Sequence, residues 1–392
     1  MMLFYDPHKR IWFHKEEKKF TLGKDAQLLE SIQPINNQFL SFKINEKACN
    51  LGPLIGIMTS RKEDHSIAGN GPLFRKLQKS LMDLGGLSIV FTSESLSNNG
   101  ITGFIYLPEH EQWVKVEAPL PHLVYNRIPY RKIEKTHSFM QATQFLQEKR
   151  IPFFNPGFID KYQLYLLLKE HSLLKQYLPY TEALQDFNQF HSFVQKYKNV
   201  YLKPTLSAKG KGIYKLSLKQ NEEISLQGIL VEEYYQSLSE LWNKKIFSFI
   251  KESYLIQEEV VSSKIDNRRF DFRILAHFDD GEYKVTGIGI RKSELQEITT
   301  HIPNGGEIVP YEQIQTDKHD EFIHMIVKMI GNYLSEKIGF FGEFSIDAGY
   351  TKDGKYVIYE VNSKPMSFDE VDIEKKKMER LCKLFFTLAG FD

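Results

Sequence analysis

Four patterns of apolar and polar positions follow one another along the chain, and each predicts different elements. Residues 1–50 alternate charged and apolar positions and carry turn signals at Gln33-Pro34 and Asn36-Asn37, the pattern of a small β-rich module. Next, Leu54-Ile55-Gly56-Ile57-Met58 reads as a buried strand. Leu73, Phe74, Leu77, Leu81 and Leu84 then recur at helical spacing before Gly85-Gly86, and residues 87–91 read as another strand. Strand, helix, strand in that order predicts a parallel βαβ unit and an open α/β sheet within residues 51–150. Helices are expected at 138–149, 161–176 and 186–197, the last with Phe187, Phe190, Phe193 and Val194 on one face. Beyond Asn199 the pattern is mostly strands and turns. Asp280-Gly281 and Asp353-Gly354 are hairpin signals, and helices near 318–337 and 370–389 close the chain.

Composition narrows the function without naming it. The chain has 392 residues, 42% hydrophobic and 26% charged, enough for two or three packed domains. Its formal net charge of +1 gives no global field toward nucleic acid, so none is expected as a partner. Two cysteines, Cys49 and Cys382, lie far apart and outside any metal-ligand spacing, which favours a reducing compartment over a disulfide framework. The N-terminal stretch is interrupted by charge, and no apolar run reaches the roughly 20 residues of a spanning helix. A soluble cytoplasmic protein without membrane insertion is the expectation. Trp12, Phe13 and Phe20 read either as a binding surface or, more in keeping with their size, as residues packed on the next domain.

Three segments carry chemistry. Val200-Tyr201-Leu202-Lys203-Pro204 is an apolar strand ending in lysine, followed by Ser207-Ala208-Lys209-Gly210-Lys211-Gly212 and a second strand. Small residues and glycine let backbone N–H groups approach a polyphosphate, and the lysine adds fixed positive charge. The glycines lead into a strand, so this is not a P-loop; an ordinary basic hairpin is the competing reading. At the other end of the chain, a two-residue turn at Asp353-Gly354 would place Asp347 opposite Glu360, with Asn362, Ser345 and Glu343 on the same face. Like charges opposed across a sheet repel unless a cation lies between them, and carboxylate and amide oxygens suit magnesium or manganese held jointly with phosphates. The alternative is a solvated face on a longer loop. In the third segment Arg269, Asp271 and Arg273 share one strand face, an arrangement suited to an anionic substrate or to a structural ion ladder. Arg291 joins that face if the Asp280-Gly281 turn has three residues with Gly281 in a left-handed bulge, which we predict.

In this order and spacing the segments resemble the ATP-grasp superfamily, from about Leu54 to the C-terminus. Tyr125-Asn126-Arg127-Ile128-Pro129, Phe270-Asp271-Phe272-Arg273 and Glu360-Val361-Asn362-Ser363-Lys364-Pro365 further resemble the YheC/YheD family of endospore coat-associated proteins. The resemblance implies an α/β and α+β chain: an ATP-grasp fold over 151–392, with two subdomains and a hinge near 254–260, after a preceding α/β domain and the small β-rich N-terminal module. It implies ATP and Mg2+ (or Mn2+) as cofactors. Lys161 and Lys203 would meet the phosphates; Ser207, Lys209, Gly210 and Gly212 belong to the loop covering them; Gln257, Glu259 and Val260 would line the adenine through main-chain atoms. Asp347, Glu360 and Asn362 match the metal ligands, and Arg273 and Arg291 the arginines near the transferred phosphoryl group and acceptor.

The implied activity is ATP-dependent ligation of a carboxylate to an amine through an acyl phosphate, on substrates the sequence does not name. The implied setting is the cytoplasm, with spore-coat components as possible partners at the forming coat. Kinase-like transfer would use the same site, and a non-catalytic coat-assembly protein that keeps nucleotide binding is the third class. Two departures from the family pattern stand out: His301 occupies the place of an expected Asn before Gly305-Gly306, and Met366 follows Pro365 where glycine is usual.

Overall fold

The computed structural model describes residues 1–33, 39–64, 66–205, 212–219, 223–293 and 306–392. The first 52 residues form two small four-stranded sheets, ordered Glu30–Ser31, Ile11–His14, Met2–Asp6, Leu40–Lys43 and Gln27–Leu28, Thr21–Leu22, Asn50–Gly52, Asn45–Lys47. Trp12, Phe13 and Phe20 are buried, so these three form no docking face. Leu3, Tyr5, Trp12 and Phe20 share one core with Leu54, Leu87 and Ile105 of the next sheet, and the Trp12 indole N–H donates to the Glu117 carbonyl at 2.7 Å. Of the predicted turn signals, residues 34–38 lie outside the described residues.

The second unit is a six-stranded sheet in the order Gln112–Ala118, Gly100–Leu107, Leu87–Ser97, Leu54–Thr59, Leu123–Asn126, Phe153–Phe154. Leu54–Thr59 and Leu87–Ser97 are parallel, as the βαβ pattern requires. Their crossover helix Gly71–Asp83 starts where the Asn70 side chain accepts from the Leu73 N–H, and it buries Leu73, Phe74, Leu77 and Leu81. The predicted helix at 161–176 is shorter than its pattern: Lys161–Glu170 is helical, and a 3-10 turn over Leu174–Tyr177 follows.

Two antiparallel sheets make up the rest. One runs Thr181–Ala183, Tyr254–Glu258, Asn199–Pro204, Tyr214–Leu218, Ile224–Gln227, Glu232–Tyr235, backed by Phe187–Tyr197. The reading of mostly strands beyond Asn199 missed a helical stretch from Leu238 to Lys251, irregular at Trp242–Ile246, whose Leu238, Leu241, Trp242, Ile246 and Phe249 complete this core. The other sheet runs Glu307–Val309, Glu282–Lys292, Arg268–Asp279, Glu343–Tyr350, Tyr356–Asn362, with Asp317–Lys337 packed on its apolar face. The final helix, Val371–Ala389, places Leu381, Cys382 and Phe385 against Ile55, Ile57 and Tyr125 of the second, mixed sheet.

Two hairpin registers depart from expectation. Asp280-Gly281 is a two-residue turn with both φ positive (51° and 83°), so the predicted three-residue turn with a bulge at Gly281 is not formed. The extra residue sits at Thr286, where pairing passes from Leu275↔Gly287 to Ala276↔Val285. In the last hairpin the connection after the Tyr350↔Tyr356 pair has five residues, and a bulge at Tyr359 carries the register from Ala348↔Ile358 to Asp347↔Glu360. Each bulge supplies the single-residue shift that the turn does not, so the predicted facing pairs form by a different route.

Candidate active site

The strand Glu343–Tyr350 brings the acidic residues and arginines together. Asp347 lies between Glu360 on one neighbouring strand and Arg273 on the other, and Ser345 pairs with Asn362. Alternation sends Phe344, Ile346 and Ala348 into the core and leaves Asp347, Glu360 and Asn362 on the opposite face. The Asn362 amide N–H donates to Asp347 Oδ2 at 3.3 Å. Two opposed carboxylates with an adjacent amide form an all-oxygen donor set that fits a hard divalent cation, with its remaining positions left to phosphate and water.

Lys161 opens its helix behind the Asp160 cap and places Nζ 3.7 Å from Glu360 Oε1. Lys203, on the facing sheet, donates to Gln257 Oε1 at 2.5 Å, and the Gln257 amide donates to Thr181 Oγ1 at 2.8 Å. Burial pulls the Lys203 pKa down to about 7; the neighbouring charges of Lys161 and Arg269 add to the shift, and Glu360 and Asp271 oppose it. That balance shows the two sheets sharing one electrostatic environment, in which an added anion would be welcome. Glu259 pairs with Lys215 at 2.7 Å, and its N–H donates to the Asn199 carbonyl. Val260 follows the end of the strand Tyr254–Glu258. Gly212 has φ +73°, and a Cβ there would meet the Tyr254 hydroxyl at 2.8 Å, so glycine is required at this close approach. Ser207, Lys209 and Gly210 lie outside the described residues, as does His301.

The two arginines differ. Arg273 stacks its guanidinium 5.0 Å from the Phe368 ring centroid, and its buried Nε has no hydrogen-bond partner among the described residues. Arg291, opposite Asp271, is only 5% exposed and grips Glu370 with both terminal nitrogens. Three more site neighbours escaped the sequence reading. Tyr359 is the bulge residue: its ring lies 5.3 Å from the Arg269 guanidinium and its hydroxyl 3.0 Å from Ser262 Oγ. Tyr201 lies under Lys203 with its ring centroid 5.4 Å from Nζ, and Glu370 belongs to a segment with no motif of its own. Period-two spacing on Asn199–Pro204 would have found Tyr201; nothing local marks the other two.

The segments around Tyr125 and Lys364 meet each other. Lys364 Nζ donates to Asn126 Oδ1, to the Ile128 carbonyl and to Glu134, and Arg127 donates to the Pro365 carbonyl at 3.1 Å. Burial pulls the Lys364 pKa down to about 8 against the attraction of Glu134. Asn155 donates to the Ser363 and Glu343 carbonyls, which fixes the strand end carrying Asn362. Below this clamp Glu343 is fully buried among Arg127 (3.0 Å), His277 (3.6 Å) and Lys377 (3.9 Å) and accepts from the Tyr125 hydroxyl. Burial opposes its ionisation, but Lys377, His277 and Arg127 hold its pKa down to about 2.

Two antiparallel sheets meeting over lysines and carboxylates, after a mixed α/β sheet, define an ATP-grasp fold. D-alanyl-alanine synthetase A of Vibrio cholerae O1 biovar eltor superposes with a TM-score of 0.54 at 13% identity, covering 87% of this chain and 99% of that one. The model of the YheC/D-like ATP-grasp family matches residues 150–389, and the chain belongs to that family. Among curated proteins, endospore coat-associated protein YheD of Bacillus subtilis (strain 168) is 28% identical over 347 residues, 82% of this chain and 74% of that protein. Endospore coat-associated protein YheC of the same strain is 24% identical over 327 residues, 79% and 89% of the two chains. No helix among the described residues is long and apolar enough to cross a membrane.

Proposed function

We propose that this protein is an ATP- and magnesium-dependent carboxylate–amine ligase acting through an acyl phosphate. The observation that carries the reading is the opposition of Asp347 and Glu360, with Asn362 beside them, between Arg273 and the Lys161–Lys203 pair. Asp347, Glu360 and Asn362 would hold a magnesium ion, which would supply positive charge against the phosphates. Lys203 and Lys161 then hold the phosphates, and the segment Gln257–Val260 lines the adenine. The donor carboxylate oxygen attacks the γ-phosphorus, ADP leaves, and Arg273 faces the developing charge. An amine nitrogen next attacks the acyl carbon, loses its proton and displaces phosphate.

The proposed modules are 1–50, 51–150 and 151–392, the last with a hinge near 254–260. Likeness to two proteins named endospore coat-associated supports a role at the forming spore coat, with coat components as partners. Calorimetry of ATP with and without magnesium tests the nucleotide site, comparing the unmodified chain with Lys203→Ala and Glu360→Ala. Magnesium-dependent binding that each substitution weakens by about tenfold or more supports it, since charge-assisted contacts are worth that much. A folded protein that binds no ATP is instead a coat-assembly protein without the chemistry.

A further inference from the structure

We propose that ordered water is built into the joint between the strand Glu343–Tyr350 and the final helix: one molecule held by Lys377, Glu343 and His277, and a second on Ser345 that continues it toward the acidic pair. Three side-chain atoms converge at the joint from three elements. Glu343 Oε2 comes from that strand, His277 Nε2 from the neighbouring strand Arg268–Asp279, and Lys377 Nζ from the helix Val371–Ala389. All three residues are fully buried, and none of the three atoms has a hydrogen-bond partner among the described residues. Oε2 lies 3.6 Å from Nε2 and 3.9 Å from Nζ, gaps too long for a hydrogen bond and short enough for one oxygen to bridge. Burial lowers the Lys377 pKa and Glu343 opposes the shift; charged or neutral, its Nζ carries hydrogens that need an acceptor.

The surroundings keep these atoms apart. Glu343 Oε1 accepts from Arg127 Nη1 at 3.0 Å and from the Tyr125 hydroxyl, and Asn155 pins the Glu343 backbone by donating to its carbonyl and accepting from its N–H. His277 is held through Nδ1 by Thr286 Oγ1 at 2.7 Å, and the helix beyond Lys377 is anchored by Leu381, Leu384 and Phe385. Closing the gaps would break one of these contacts, whereas a water fills them and leaves the frame in place. The charges select a neutral ligand. Arg127 and Lys377 stand against Glu343 and Glu374, the last 3.8 Å from Lys377 Nζ and accepting from the Phe368 N–H at 2.6 Å, and burial holds His277 below its ordinary pKa and so neutral. With Lys377 charged, that sum leaves nothing for an ion to balance. Ser345 follows on the same strand face, about 7 Å along, between Glu343 and Asp347 and opposite Asn362. It too is buried with its Oγ unpartnered among the described residues, which places the second water between the joint and the acidic pair.

The test is a crystal structure of the unmodified full chain at a resolution that shows ordered water, paired with 17O magnetic relaxation dispersion of the solvent, which registers buried water that exchanges slowly. One density peak should lie within hydrogen-bond distance of both Lys377 Nζ and Glu343 Oε2, and another on Ser345 Oγ. Ser345→Ala should lose the second peak and keep the first. Lys377→Met should lose the first, and the dispersion amplitude should fall by about one water. The charge-balanced pair Lys377→Met/Glu374→Gln guards against misfolding from an unopposed buried carboxylate and should show the same loss. Lys377 bonded directly to Glu343 or Glu374 with no peak between them overturns the inference, as does a halide identified at the peak by its anomalous signal. A dispersion amplitude unchanged in both Lys377 variants puts the slow water elsewhere and overturns it as well. None of these readouts requires bound nucleotide, so the water site stands or falls apart from the ligase reading.

Discussion

The strand Glu343–Tyr350 carries two acidic sites on one face, and they solve the problem of a carboxylate near the core in opposite ways. Glu343 is enclosed: Arg127, Lys377, His277 and the Tyr125 hydroxyl come from the mixed sheet, the last helix and the neighbouring strand, and Glu343, His277 and Lys377 are fully buried. Four residues on, Asp347 faces another carboxylate, Glu360, and Lys161 stands 3.7 Å from Glu360. Residue type does not separate the two. What separates them is whether the carboxylate is buried among cationic side chains, as at Glu343, or stands across a strand pair from a second carboxylate, near a lysine held at about pKa 7. The closed assembly ties strands of two sheets to the last helix, and the open one is where we propose that ATP and magnesium bind.

Removing one partner from each site should break the comparison most visibly. Glu343→Gln leaves Arg127 and Lys377 buried against a neutral side chain and should cost about 3–5 kcal/mol in urea unfolding. Glu360→Gln relieves a repulsion and should change stability by less than about 1 kcal/mol while removing magnesium-dependent ATP binding. Equal losses of stability would mean that both sites are structural.

A smaller effect sharpens the electrostatic side. With a folded pKa of about 7 against an ordinary 10.5, Lys203 makes an unfavourable contribution that is absent above the unfolded value and reaches its full size below the folded one. Stability of the nucleotide-free protein should therefore rise as pH rises from 7 toward 10, and Lys203→Met should remove that slope. Phosphates beside the lysine favour its charged form, so ATP binding at pH 8 should take up close to one proton, read from calorimetry in buffers of different ionisation enthalpy. Uptake should fade below about pH 6 and be missing in Lys203→Met. Uptake that survives the substitution would move the phosphate contact elsewhere.

Much of the site was legible because its parts are local. The strand ending in Lys203, the acidic pair and the alternating arginines each declare themselves within a few residues. The acidic pair was nevertheless deduced from a two-residue turn that does not form; the five-residue connection and the bulge at Tyr359 are two one-residue errors that cancel. Parity of side chains survives such compensation, whereas the identity of the bulged residue does not, and Tyr359 was lost for that reason. Glu370 was invisible for another. Its partner lies 79 residues away in sequence, and no periodicity reports a contact made only when a helix start docks on a sheet. The clamp between Asn126 and Lys364 shows the converse: both segments were read as family marks, and only their contact reveals that they fix the end of the strand carrying Asn362.

The smallest expected effect separates turn from bulge in the hairpin that serves both sites. His277, in the closed assembly, bonds from Nδ1 to Thr286 Oγ1 at 2.7 Å, and Thr286 is the bulge residue, so the extra residue sits at the boundary between the two assemblies. Gly281, at φ +83°, lies beyond the closed one, and a Cβ there would meet nothing within 4 Å. Gly281→Ala should therefore cost only the backbone penalty of a left-handed residue, about 1 kcal/mol, seen as a small shift of the unfolding midpoint at unchanged denaturant dependence. ATP and phosphate affinities should not change, because the bulge sets the register of Arg291 independently of the turn. If instead Gly281→Ala weakened phosphate binding, the turn would be holding Arg291 opposite Asp271, and the bulge at Thr286 would be a consequence of the site's register and not its cause.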